Sequence, residues 1–185
     1  VIQLPLRWSA PPRISTAPDV FVGYLLLDAW IGNTDRHHQN WGWVKVAVAK
    51  QNDGTSVYAL HLAPTFDHAS SLGCHETDER RKDRLTTKDG GRSVQAYARK
   101  ARSAFYENKG DKRPMSTHAA FWYASAKYPE AARIWLDRLN SIGSTDVPAI
   151  MEKVPSSRMS SAAKDFAQAL LDTNRSILLD PENVP

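Results

Sequence analysis

The chain has 185 residues, of which 42% are hydrophobic and 24% charged, with 24 lysines and arginines against 20 aspartates and glutamates. That length holds one substantial core or two small ones, and the composition is that of an ordinary globular domain. No apolar run reaches the roughly 18 residues of a membrane span, and the N-terminus has no signal-peptide pattern, so membrane partners are not expected.

Residues 1–17 are rich in proline and aperiodic, and read as an extended N-terminal arm in which Leu4, Leu6 and Trp8 alternate as a short docked strand would. Thr16 or Asp19, with Pro18 in the first turn, opens a helix. Val22, Leu25, Leu26, Ala29 and Trp30 continue it at helical spacing. This helix spans the longest apolar run, Val20 to Ile31, which Gly23 and Asp28 interrupt. Gly32-Asn33 ends it, and the polar stretch to Asn40 is a loop.

A hairpin follows. Trp41, Trp43, Val44, Val46 and Val48 form one arm, Val57 and Tyr58 belong to the other, and Gln51-Asn52-Asp53-Gly54 turns between them. Trp41 and Trp43 are expected to pack the hairpin onto the helical core. The second arm leads through Leu60 and Leu62 to Ala63-Pro64-Thr65-Phe66-Asp67. The single cysteine, Cys74, excludes an internal disulfide and fits a cytoplasmic setting.

From Glu76 onward the pattern is helical: 76–85, 93–106, 117–128, 129–141, 147–154 and 160–179. About half of the 24 lysines and arginines fall between Glu76 and Arg113. Interleaved Asp78, Glu79, Asp83 and Asp89 make much of that run a solvated face, although it also suits an acidic or phosphate-bearing partner. The fold class expected is mainly α with one small β-hairpin.

The chemistry lies in the loop. Phosphoryl transfer needs a carboxylate that orients the attacking hydroxyl, and hard oxygen ligands that hold magnesium on the phosphates of ATP. In protein kinases the catalytic Asp is followed five positions later by a metal-binding Asn, and a second metal-binding Asp comes a hairpin later. Asp35 and Asn40 have that spacing, the predicted hairpin follows, and Asp67 comes after it. Each residue also has a plainer role: Asn33 and Asp35 suit a helix end, and His38 suits the surface. His37, His38, His61 and His68 raise the question of zinc, but adjacent histidines point apart and no cysteine set accompanies them.

The string Ile31-Gly32-Asn33-Thr34-Asp35-Arg36-His37-His38-Gln39-Asn40-Trp41-Gly42, with Leu62-Ala63-Pro64-Thr65-Phe66-Asp67, resembles the bacterial HipA family of serine/threonine kinases. In that family an N-x-D-x-H-x-x-N loop precedes an L-x-P-x-[YF]-D segment. The D-R-H-x-x-N form is also similar to phosphoinositide 3-kinase-like kinases. The resemblance implies a protein-kinase-like C-terminal lobe over 18–185. Within it lie a catalytic loop (33–40), a hairpin (41–63), a metal-binding segment (64–73) and a helical remainder (74–185).

By position, the resemblance makes Asp35 the catalytic aspartate and Asn40 and Asp67 the Mg2+ ligands, and puts His37 near the phosphates of ATP. Arg36 reads either as a phosphate contact or as a structural partner of a carboxylate, the second being preferred. The implied partners are a protein substrate and, in toxin–antitoxin members, a DNA-binding antitoxin. The residues before the first helix contain no glycine and no lysine, and the chain opens at Val1. The reading therefore places an N-terminal kinase lobe upstream of Val1 and expects little phosphorylation by these 185 residues alone. The rival functions are a lipid or small-molecule kinase lobe and a non-catalytic binding module.

Overall fold

The computed structural model describes residues 11–180 and Glu182. The strand expected at Leu4–Trp8 lies outside the described residues. Pro11–Arg13 turn, and Ile14 is buried in the main core, so the end of the expected arm is packed onto the body.

Helix α1 (Ala17–Ile31) is fixed at both ends by local chemistry. The Thr16 hydroxyl accepts from the Asp19 amide at 3.3 Å, and the Asp19 carboxylate accepts from the Thr16 amide at 2.9 Å, a reciprocal capping box. Gly32, at φ +64°, stops the helix, and its N–H returns to the Asp28 carbonyl. Because α1 is apolar on nearly every side it is buried on nearly every side, the usual fate of such a helix. Val22, Leu25, Leu26 and Ala29 all lie in the interior.

Strands β1 (Trp43–Lys50) and β2 (Ser56–Leu62) pair antiparallel, with Trp43 opposite Leu62 and Lys50 opposite Ser56, and a bulge between Ala47 and Ala49. Gly54 N–H closes the turn onto the Gln51 carbonyl at 3.0 Å. Trp41 meets Phe21 edge-on at 5.3 Å and seats the base of the hairpin on α1. Trp43 does not share that role. It is 55% exposed, and Leu62 is the sole buried residue of the two strands. Trp43 shares its face with Leu62 and lines a groove with Pro18 and Phe21 of α1 and with Ala124, and these cover the indole only in part.

Six further helices complete the described body: α2 (Asp78–Thr86), α3 (Val94–Lys100), α4 (Thr117–Lys127), α5 (Pro129–Asn140), α6 (Asp146–Glu152) and α7 (Ser161–Leu179). Ser or Thr side chains cap α2, α3, α4 and α7 by accepting from the third backbone amide beyond. The main core joins α1, α4 and α5 around Phe121, with Leu178 of α7, while Phe166 and Leu170 of α7 pack under Val94 and Ala98 of α3. The helix expected over 93–106 ends at Lys100. Beyond it, Ser103 N–H bonds the Met115 carbonyl at 2.9 Å and Met115 N–H bonds the Phe105 carbonyl at 2.8 Å. The backbone there bonds across to a neighbouring segment instead of back along a helix. The fold is thus mainly helical with one small hairpin, as the sequence predicts.

Candidate functional site

The site is built on a buried ion pair. Asp28 is the only charged residue between Val20 and Ile31 and lies in the last turn of α1. It is 3% exposed and Arg36 is 1% exposed. Arg36 Nε and Nη2 donate to the two Asp28 carboxylate oxygens, each at 2.8 Å. Buried charges persist only when paired and fully hydrogen-bonded, and this fork-to-fork geometry meets that demand. Asn33 Nδ2 adds a third donor to Asp28 Oδ1 at 2.8 Å, and its own Oδ1 accepts from the Asp35 amide at 3.2 Å.

The remaining guanidinium nitrogen organises what surrounds it. Arg36 Nη1 donates to the Asn40 carbonyl at 2.7 Å and to the Phe66 carbonyl at 3.1 Å. Arg36 is therefore the structural partner of a carboxylate, the preferred of its two sequence readings.

The loop itself is a succession of tight turns. His37 N–H bonds the Asp35 carbonyl at 2.9 Å and Asn40 N–H bonds the His37 carbonyl at 3.0 Å. The Asp35 side chain is 46% exposed. Asn40, by contrast, is buried, and its Nδ2 donates to the Asp35 carbonyl at 2.6 Å and approaches Asp35 Oδ2 at 3.4 Å. Two oxygen acceptors fix which end of the amide faces Asp35, so Oδ1 is turned to the other side. His37 Nδ1 accepts from the Gln39 amide at 3.2 Å. A neutral ring with that acceptor carries its proton on Nε2, which lies 3.6 Å from Asp35 Oδ1.

Asp67 lies in the irregular segment that follows β2. Its φ is +53°, a left-handed conformation that Asp adopts more readily than most residues. The chain is tied on both sides of it: Arg36 holds the Phe66 carbonyl, and Thr34 N–H bonds the Ser70 carbonyl at 3.2 Å. Tyr24 Oη donates to the Ala63 carbonyl just upstream. His68 Nε2 is 2.8 Å from Thr65 Oγ1, and burial, with the nearby Arg36 charge, lowers the pKa of His68. A neutral His68 does not compete as a counter-ion for the Asp67 carboxylate beside it.

Asp35, His37 and Asn40 thus meet at one surface, and Asp67 lies on an adjoining segment joined to them through Arg36. Among the described residues no three His, Cys, Asp or Glu side chains converge as a metal cage, the four histidines weighed for zinc included. Asn40 and the exposed Asp67 each carry a side-chain oxygen, the ligand type that magnesium takes. Sequence reading missed Asp28, whose signal was a lone carboxylate in an otherwise apolar helix, and missed Tyr24, which gave no signal of its own.

The chain matches no family model, and neither the curated proteins nor the solved structures give a match.

Proposed function

We propose that this chain is the acceptor- and metal-bearing lobe of an ATP-dependent kinase that phosphorylates a protein Ser/Thr hydroxyl, as the HipA resemblance implies. The observation that carries the reading is the Asn40 amide, whose NH2 is spent on Asp35, with the half-exposed Asp35 carboxylate on the same loop and the exposed Asp67 on the segment that Arg36 ties to it. A helix-capping role for the loop requires none of this.

In this reading Asp35 accepts a hydrogen bond from the substrate hydroxyl and takes its proton as that oxygen bonds to the γ-phosphorus of ATP. The bond from that phosphorus to the bridging oxygen breaks, and ADP leaves. Asn40 Oδ1 and Asp67 would hold Mg2+. His37 Nε2–H, 3.6 Å from Asp35, is placed to donate to a phosphate oxygen or to steady the carboxylate. Bound Mg2+-ATP supplies the phosphoryl group and neutralises its charge.

The test is phosphotransfer from labelled ATP by the gene product that carries these residues. Asp35→Ala is expected to lower the rate by about 10²–10⁴-fold, the usual worth of a positioned base, and Asp67→Ala to abolish Mg2+-dependent nucleotide binding. Unchanged activity in Asp35→Ala would sink the assignment. The exposed cations Arg80, Lys82 and Lys88, which follow Asp67 in the chain, favour a second acceptor class, a phosphate-bearing lipid or small molecule. Label appearing in such acceptors and not in protein would select it.

A further inference from the structure

We infer that Arg36 is a positioning residue that sets the spacing of the two magnesium ligands, Asn40 and Asp67; this rests on the phosphotransfer reading above. The guanidinium is fully buried, and its four observed bonds divide in two. Nε and Nη2 are locked on Asp28, which belongs to the most deeply packed helix of the body. Nη1 spends its two protons on main-chain carbonyls, one from Asn40 itself and one from Phe66, the residue before Asp67.

Asn40 and Phe66 lie at opposite ends of the hairpin. The nearest other tie between those ends is the Ala63 amide to the Gly42 carbonyl at 2.8 Å, two and four residues removed from the ligands. Among the described residues, Arg36 is the side chain that joins Asn40 directly to the residue before Asp67. The hairpin beyond that tie is largely exposed and unsupported, so it does not set ligand spacing from outside. Asp67 also has positive φ, a conformation that persists where surrounding bonds impose it. Arg36 supplies one such bond directly before it.

Lysine cannot reproduce this arrangement. A single ammonium lacks the planar fork that engages Asp28 twice while still reaching two carbonyls. Arg36→Lys should therefore keep the buried charge yet release one or both carbonyls. A second variant, Asp28→Leu with Arg36→Met, replaces the pair by apolar volume, an exchange that buried ion pairs often tolerate without loss of stability.

The experiment titrates Mn2+ into the gene product with ADP present, followed by electron paramagnetic resonance, and measures amide hydrogen exchange on the metal-free protein. Both variants are expected to bind Mn2+ about 10–100-fold more weakly, the range for residues that orient metal ligands. Segments 33–40 and 64–70 should lose exchange protection together, while α5 keeps its own. Asp67→Ala serves as the control. If it weakens Mn2+ binding while both Arg36 variants bind normally, the positioning role is overturned and the kinase reading stands. If the unaltered protein shows no nucleotide-dependent Mn2+ binding, both fall. If neither Arg36 variant folds, the pair belongs to stability and the proposal is overturned.

Discussion

His118 stands at the start of α4, 8% exposed, facing the Asn174 side chain of α7 and the charge of Arg99 from α3. Burial lowers its pKa, the polar Asn174 side chain nearby opposes that, and Arg99 reinforces it. The folded protein therefore binds fewer protons at this site than the unfolded chain once the pH is low enough to charge a free histidine. Stability associated with a neutral His118 is present above the unfolded value of about 6.5 and is lost as pH falls toward the lower folded value. His68, shifted the same way by burial, adds to that slope. Thermal unfolding between pH 8 and pH 5 should show a midpoint that drops on acidification, and His118→Gln should flatten the drop. An equally steep drop in the variant would remove His118 as a cause. At this scale the nearness of Asp35 and Asn40, and their link to the segment that carries Asp67, was legible because one loop and one short hairpin set it. The Asp28–Arg36 bond and the His118–Asn174 contact were not, because helical periodicity shows that a position faces inward without showing what it meets there.

Among elements, the segment from Pro64 to Gly73 depends on α7 as much as on the loop it completes. Leu72 and Gly73 are consecutive left-handed residues at φ +53° and +69°, and the Leu72 amide bonds the Ile31 carbonyl at 2.9 Å. A Cβ at Gly73 would lie 2.4 Å from Phe166 Cε1, a ring with no exposed surface. Gly73→Ala thus combines a steric clash with an unfavourable backbone conformation. It should cost about 2–4 kcal/mol in chemical denaturation. Phe166→Leu in the same chain should recover the steric part and leave the backbone part, giving a non-additive double mutant; strict additivity would show that the ring is not the obstacle. Most element ends were readable, since Thr16, Thr77, Ser93, Ser116 and Ser160 cap helices by ordinary hydroxyl chemistry. The overlong helix at 93–106 shows the limit. Residues 99–102 have fair helix propensity, but Phe105 docks edge-on against Phe21 at 6.0 Å, and that distant contact takes the backbone elsewhere.

The molecule as a whole is unevenly supported. Helix α1 is surrounded by α4, α5 and α7, so its amides can exchange only when much of the body opens. Trp30 lies against both the main core and the smaller cluster of Met151, Ala167 and Leu171, joining them. The hairpin is different. Beyond the Trp43–Leu62 pair, Val48, Val57, Tyr58 and Leu60 are all exposed, and two strands alone are marginal in water. The β-branched and aromatic residues of the two arms and the turn cluster between them announced a hairpin, yet they carry no information on whether anything covers its faces. Local opening follows buried apolar contact. Amides at the turn, from Ala47 to Val57, should therefore exchange orders of magnitude faster than those of α1 and α7, while Trp43 and Leu62 fall between. Adding Mg2+ and nucleotide should slow exchange in 33–40 and 64–70 if the phosphotransfer site is as proposed, and leave the hairpin tip unchanged, because no bond in the structure connects Asn40 or Asp67 to the tip. Protection spreading evenly over the hairpin and α1 would instead show one cooperative unit, and the division into a rigid helical body and a weakly held hairpin would have to be abandoned.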